Sequence, residues 1–215
     1  MNADQSYDPL GRRNKTIVNG VTTYNIYDGW DLIERYDTSG NKLESNVFGG
    51  GTDEIIARTA GATTYFYQQD SLGNVTHVYA NGALAESYTY DAYGVVTIRT
   101  PAGAVIPNSA IGNRFMFTGR DYLSEINLYD YRNRFYSAEL GRFLEPDPLG
   151  FAAGDDNLYR YVGNNPANKT DPTGFRPQDG SPKRYNGYGL FGAGTPSISG
   201  RYIGSYGTGR VRTGS

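Results

Sequence analysis

The sequence has no cysteine, one histidine (His77), two methionines and one tryptophan. Without thiols there is no disulfide framework, no cysteine-based zinc site and no thiol nucleophile. One histidine likewise excludes multi-histidine metal sites and histidine-based triads, and no cofactor is expected. Neither sign of charge dominates, with 20 Lys+Arg against 22 Asp+Glu, so nothing overall draws the chain to nucleic acid or to an anionic membrane. No apolar run approaches the ~18 residues of a membrane span. The opening residues, Met1 to Tyr7, lack the charged-then-apolar pattern of a signal peptide. Leucine and isoleucine are sparse. The abundant residues are glycine, 29 of 215, and tyrosine, 20. Such a composition suits short strands joined by tight turns, with aromatic rings supplying the buried surface.

Internal repetition organises the first half. Asp8-Pro-Leu-Gly11 matches Asp70-Ser-Leu-Gly73, and Asn-Gly follows at the same offset in both, as Asn19-Gly20 and Asn81-Gly82. A Tyr-Asp pair comes next, Tyr27-Asp28 and Tyr90-Asp91, and Tyr36-Asp37-Thr-Ser-Gly40 begins a less regular copy. Asp-x-x-Gly suits a type I turn with Asp in the first place and Gly in the last. Asn-Gly is the favoured two-residue type I′ hairpin loop. Between them, segments such as Val21–Tyr27 and Glu86–Tyr90 alternate at period two, as strands do. The expected fold is all-β: antiparallel hairpins that successively extend one curled sheet, a few of them preceding residue 99. Open strand ends of such a sheet recruit further strands, so the chain reads as a fragment of a longer array or an orphan remnant of one. Residues 99–113, with two prolines and two glycines, read as a loop. Leu128–Tyr136 reads as one strand, with Tyr129, Tyr131, Asn133 and Phe135 on one face and Asp130, Arg132, Arg134 and Tyr136 on the other.

From 141 to 175 the motifs are denser: Gly141-Arg-Phe-Leu-Glu-Pro-Asp147-Pro-Leu-Gly150, Asn157-Leu-Tyr-Arg-Tyr161, Asn164-Asn-Pro166 and Asp171-Pro-Thr-Gly174. Each Asp-Pro-x-Gly is a sound type I turn on its own. Together with Phe117-Thr-Gly-Arg-Asp-Tyr122, Leu128–Tyr136 and the Tyr-Asp repeats upstream, the segment resembles the RHS/YD-repeat family. Its members are the β-shell proteins of bacterial polymorphic toxins and Tc-toxin C components, with teneurins more distant.

The resemblance implies a domain plan: YD-repeat hairpins over 1–114, an RHS core plug of loops and a short helix near 157–163 over 115–175, and a variable tail over 176–215. It implies a shell that encloses the C-terminal tail as cargo, other RHS chains as partners, and a secreted or cell-surface toxin setting. It also implies an intramolecular aspartyl protease, with Asp147 and Asp171 as catalytic carboxylates, Arg142 as the motif's arginine, and Phe175–Arg176 as the scissile bond. The chemistry is self-consistent, because paired carboxyls hydrolyse amides without metal, thiol or histidine. The tail carries a charge of +5 against −7 for residues 1–175. Its little aliphatic surface predicts disorder when free, rather than a nucleic-acid-binding unit. Two other readings stand beside this one. A non-catalytic scaffold would bind a partner or carbohydrate through exposed tyrosines, and a vestigial cassette would have no activity.

Overall fold

The computed structural model describes residues 3–175 and 177–179, leaving the tail from 180 onward, and Arg176, outside the described residues. Eleven strands form one antiparallel sheet in strict chain order. They are β1 (Ala3–Tyr7), β2 (Arg13–Val18), β3 (Val21–Asp28), β4 (Asp31–Tyr36), β5 (Lys42–Phe48), β6 (Ile55–Ala60), β7 (Thr63–Gln69), β8 (Val75–Ala80), β9 (Ala83–Tyr90), β10 (Val96–Arg99) and β11 (Val105–Ile106). Each strand pairs only with its sequence neighbours, so β1 and β11 are edges and the sheet is open. A second sheet holds β12 (Asp121–Leu123), β13 (Leu128–Asp130), β14 (Phe135–Ser137) and β15 (Arg142–Phe143). A two-stranded pair, β16 (Lys169–Thr170) and β17 (Gln178–Asp179), follows. There is no α-helix among the described residues; the 3₁₀ turns are Phe117–Gly119, Gly150–Ala153 and Val162–Asn164.

The turn chemistry accounts for the meander. At Asp8, Asp37, Asp70 and Asp91 the Oδ1 accepts the amides two and four residues on, at 2.8–3.0 Å. The glycine in the fourth place takes φ between +78° and +94° and donates to the Asp carbonyl. This is a type I turn closed by a left-handed residue, the usual three-residue hairpin loop. Asn19-Gly20 and Asn81-Gly82 both have φ > 0 in their two-residue loops, as a type I′ turn requires.

Three expectations are corrected. Residues 99–113 are not wholly a loop: Val105–Ile106 pairs with Ile98–Arg99, because Thr100-Pro-Ala-Gly103 copies the Asp turn, Thr100 Oγ1 accepting the Ala104 amide at 3.2 Å. Leu128–Tyr136 is two strands, not one, since the chain reverses between Asp130 and Phe135 with Arg132 in the left-handed region at φ 68°. The short helix near 157–163 is only the 3₁₀ turn at Val162–Asn164.

An antiparallel meander puts alternate loops at opposite ends of the sheet. One end carries the loops at 8–11, 29–30, 49–54, 70–73 and 91–94; the other carries 19–20, 37–40, 61–62, 81–82 and 100–103. Residues 115–143 dock at the first end. Thr118 donates its amide to Asn74 Oδ1 at 2.8 Å, Tyr129 its hydroxyl to the Gly94 carbonyl at 2.9 Å, and Tyr136 its hydroxyl to the Tyr93 carbonyl at 2.7 Å. A methyl on Gly94 would meet the Phe117 ring at 2.5 Å, whereas methyls on Gly20, Gly40, Gly61, Gly82 and Gly103, all at the far end, would meet nothing. The shared core joins Leu32, Ile55, Val75, Val78, Tyr88 and Ile98 of the sheet to Phe115, Met116, Phe117, Tyr129, Tyr131, Tyr136, Phe143 and Tyr161. Rings pack in tilted and edge-to-face pairs, such as Tyr136–Tyr161 at 4.4 Å and Tyr131–Tyr136 at 5.3 Å between centroids, the arrangement that ring quadrupoles favour.

Gly94→Ala and Gly61→Ala separate close packing from backbone strain, since both glycines have φ > 0. Urea unfolding is expected to show a loss of about 1–2 kcal/mol for Gly61→Ala and about 2–4 kcal/mol for Gly94→Ala, where overpacking adds to strain.

Candidate active site

Arg134, which the alternation of residues 128–136 leaves as an ordinary strand residue, lies at the meeting point of the two Asp-Pro-x-Gly turns. The reversal at Arg132-Asn133, closed by Tyr131 donating its amide to the Arg134 carbonyl at 3.0 Å, turns Arg134 inward. One of its terminal nitrogens, Nη2, is 3.1 Å from Asp147 Oδ2 and 3.4 Å from Asp171 Oδ2. Nη1 donates to the Leu158 carbonyl at 3.1 Å and Nε to the Gly174 carbonyl at 2.6 Å. The guanidinium carbon stands 3.6 Å above the Phe143 ring. Burial pushes the Arg134 pKa down, while Asp147, Asp171 and Glu145 pull it up.

Each carboxylate is fixed by its own turn. Asp147 Oδ1 accepts the Leu149 amide at 2.8 Å, and the Asp147 amide donates to the Leu158 carbonyl at 2.8 Å. Asp171 Oδ1 accepts the Phe175 amide at 3.1 Å and the Thr173 hydroxyl at 3.3 Å. Proline in the second place presets φ in both turns. Asp171 is 1% exposed and the Asp147 side chain 8%. The residues sequence reasoning singled out therefore fall into three groups. Asp147 and Asp171 come together on one cation, and Phe175 is bonded to Asp171. Arg142 is elsewhere: β15 turns Phe143 inward and Arg142 outward, exposed and 5.4 Å from the centre of the Tyr159 ring, so the arginine at the carboxylates is Arg134. Arg176 lies outside the described residues. The signal for Arg134 was present only as Asn133 beside Arg132, a pair able to turn the chain but carrying no glycine.

The arrangement places two carboxylates and a guanidinium around the Gly174–Phe175 peptide, whose carbonyl faces Arg134 and whose amide faces Asp171. One guanidinium offsets one of two carboxylate charges, so a single proton on the pair leaves the cluster neutral. A hydrolytic dyad uses that state, one oxygen taking a proton from water while the other donates one.

A second ionic cluster lies beside it. Asp53, in the β5–β6 loop, receives Arg120 Nη1 at 2.8 Å and Arg132 Nη2 at 2.6 Å. Arg13 bonds Asp121 and sits 3.2 Å from Asp130, and Arg114 bonds Asp121 at 2.7 Å. Asp31 faces this cluster: burial, then the charge of Asp53, raises its carboxyl pKa to about 6.

No family model matches the chain. An open antiparallel repeat sheet with a tyrosine- and arginine-rich unit docked at one end defines a segment of a repeat-built β-shell. The "tRNA3(Ser)-specific nuclease WapA" of Bacillus spizizenii is 33% identical over 177 residues, which cover 80% of this chain and 7% of that protein. "Toxin subunit YenC2" of Yersinia entomophaga is 50% identical over 52 residues, 24% of this chain and 5% of that one. The TccC3 chain in the Tc holotoxin pore of Photorhabdus luminescens superposes with a TM-score of 0.62 at 20% identity, over 85% of this chain and 9% of its own. The chain belongs to the RHS/YD-repeat family of toxin-associated proteins. It spans less than a tenth of the length of each of these relatives.

Two outcomes follow from the charges. Arg134→Met leaves two buried carboxylates facing each other and is expected to cost about 3–5 kcal/mol in urea unfolding, while exposed Arg142→Ala changes stability by less than about 0.5 kcal/mol. Asp31 binds a proton on folding between its unfolded value, about 4, and about 6. Stability is therefore lost as pH rises through that window. Asp31→Asn is expected to flatten this slope and to melt higher than wild type at pH 7, read by melting temperatures at pH 4.5 and 7.

Proposed function

We propose that this chain is a segment of a toxin-encapsulating RHS shell whose 115–175 region plugs one end and cuts itself after Phe175, releasing the cationic tail. The observation that carries the reading is the convergence of Asp147 and Asp171 on Arg134 at the Gly174–Phe175 peptide. In the proposed step the ionised carboxyl takes a proton from water. The resulting hydroxide adds to the Phe175 carbonyl carbon, and the Phe175–Arg176 C–N bond breaks. The protonated carboxyl supplies a proton to the departing amine of Arg176. The junction is part of the same chain, so the bond is delivered at high effective molarity and needs no substrate affinity. Arg134 holds both carboxyls and limits the charge they accumulate.

The open edges at β1 and β11 suit continuation of the sheet by neighbouring repeats, from the same polypeptide or another RHS chain. The proposed setting is a secreted or surface toxin system, a reading supported by relatives named as a nuclease and a toxin subunit. Among the described residues no helix is long and apolar enough to cross a membrane.

One observation favours the non-catalytic scaffold instead: Arg134 engages both carboxylates, as a purely structural salt bridge would. Intact mass of freshly folded protein separates the two. The proposal expects conversion to two fragments divided at 175/176, abolished by Asp147→Asn and by Asp171→Asn. A single full-length mass over days between pH 4 and 8, indifferent to both substitutions, assigns the chain to the scaffold.

A further inference from the structure

Three consecutive side chains grip three consecutive carbonyls. Arg132 Nη1 donates to the Pro172 carbonyl, Asn133 Nδ2 to the Thr173 carbonyl at 2.8 Å, and Arg134 Nε to the Gly174 carbonyl at 2.6 Å. The two segments approach so closely that a methyl on Gly174 would lie 2.5 Å from the Tyr131 carbonyl. The outermost member of this clamp is held by the repeat sheet. Arg132 makes a two-nitrogen contact with Asp53, Nη2 to Oδ1 at 2.6 Å and Nη1 to Oδ2 at 3.3 Å, and lies 5.7 Å from the centre of the ring of Trp30, in the β3–β4 loop. The same Nη1 therefore binds Asp53 and Pro172 together. Asp53 is 5% exposed, lies in the left-handed region at φ 56°, and also anchors Arg120.

We infer that Asp53 is a positioning residue of the cleavage reaction, acting through Arg132 to fix the turn that carries Asp171 and so making the reaction depend on the β5–β6 loop of the repeat sheet. This inference rests on the self-cleavage reading above. Without Asp53 the Arg132 guanidinium loses its counter-charge, and a lone left-handed arginine no longer holds its nitrogen on Pro172. Asp171 then keeps Arg134 but loses the fixed backbone that sets its angle to Phe175. A misplacement of this size slows an otherwise competent intramolecular reaction without unfolding the sheet.

The test uses the full chain, folded from denaturant, with cleavage followed by intact mass. Asp53→Ala and Arg132→Ala are each expected to slow cleavage about 10- to 100-fold, with methylguanidinium at millimolar concentration recovering part of the Arg132→Ala rate. Asp37→Ala, at the far end of the sheet, leaves the rate unchanged. In an uncleavable Asp147→Asn background, Asp53→Ala is expected to strip hydrogen-exchange protection from the Gly174 and Phe175 amides, which bond to Asp171, while strand amides such as those of β8 keep theirs. Wild-type cleavage rates in Asp53→Ala, or protection lost from β8 as well, overturn the inference. If the wild-type chain never cleaves, the parent reading falls. Retained protection at 174 and 175 in the Asp53→Ala chain then refutes the clamp as well.

Discussion

The guanidinium of Arg134 joins segments that are otherwise separate. Asp147 belongs to the first Asp-Pro-x-Gly turn, Asp171 and Gly174 to the second, Leu158 to the stretch between them, and Phe143 to β15. A planar fork of five donors is suited to this, because it meets carboxylate and carbonyl oxygens in several directions and keeps its charge when buried. A lysine in its place offers one compact charge and no plane to lay against Phe143. Both turns depend on the cation, since two shielded carboxylates drawn together without it repel. Arg134 in turn depends on the reversal at 132–133, which points it inward.

That reversal rests on the sheet. A non-glycine residue in the left-handed region costs free energy, and Arg132 adopts it at φ 68°. The strain is offset by the contacts the conformation allows: Asp53, Trp30 and the Pro172 carbonyl. The buried ion pairs at this end of the sheet are weak evidence for stability, because desolvation cancels much of their attraction. What they supply is registry. Arg13 and Arg120 reach Asp121, Asp130 and Asp53 across the boundary between the repeats and the docked unit, and a docking shifted by one residue would strand several charges in the interior. The aromatic packing beneath contributes the attraction that the charges do not, as Tyr131, Tyr136, Tyr161 and Phe143 are all fully buried.

Turn chemistry was legible because it is local. An aspartate that satisfies two amides within four residues, followed by a glycine free to take φ > 0, looks the same wherever it occurs. The two Asn-Gly loops and the four Asp-x-x-Gly loops could therefore be read from residues 8 to 94. The Thr100 turn escaped because threonine replaces the aspartate and makes one of its bonds. The turns headed by Asp147 and Asp171 were legible for the same local reason, whereas the pairing of their carboxylates was expected only from the family resemblance. The error at 128–136 has a different cause. Tyr-Asp-Tyr-Arg-Asn-Arg-Phe-Tyr keeps a period of two through the bend, and the turn carries no glycine to mark it. Alongside its local bonds, the bend is held by contacts from far along the chain, such as Asp53, 79 residues away, and sequence pattern has no access to those. Misreading the bend put Arg134 on a strand face, while Arg142 was expected on separate grounds, as the arginine of the family motif.

The same contrast bears on how repeats and reactive unit relate. If the 115–175 region were self-sufficient, its turns would be fixed by contacts within it. Asp147 meets that description, held by Leu149 and Leu158. Asp171 meets it in part. Its turn is also gripped by Arg132, Asn133 and Arg134, and the first of these is secured by Asp53 of a repeat loop. Both carboxylates are thus set by local turn chemistry, and the second turn is in addition tied to the sheet through Arg132. Through Arg132 the second turn is linked to a loop of the repeat sheet, so the geometry at Asp171 is coupled to docking on that sheet. In a protein whose proposed chemistry cuts its own chain, that coupling ties the junction to the structure built around it.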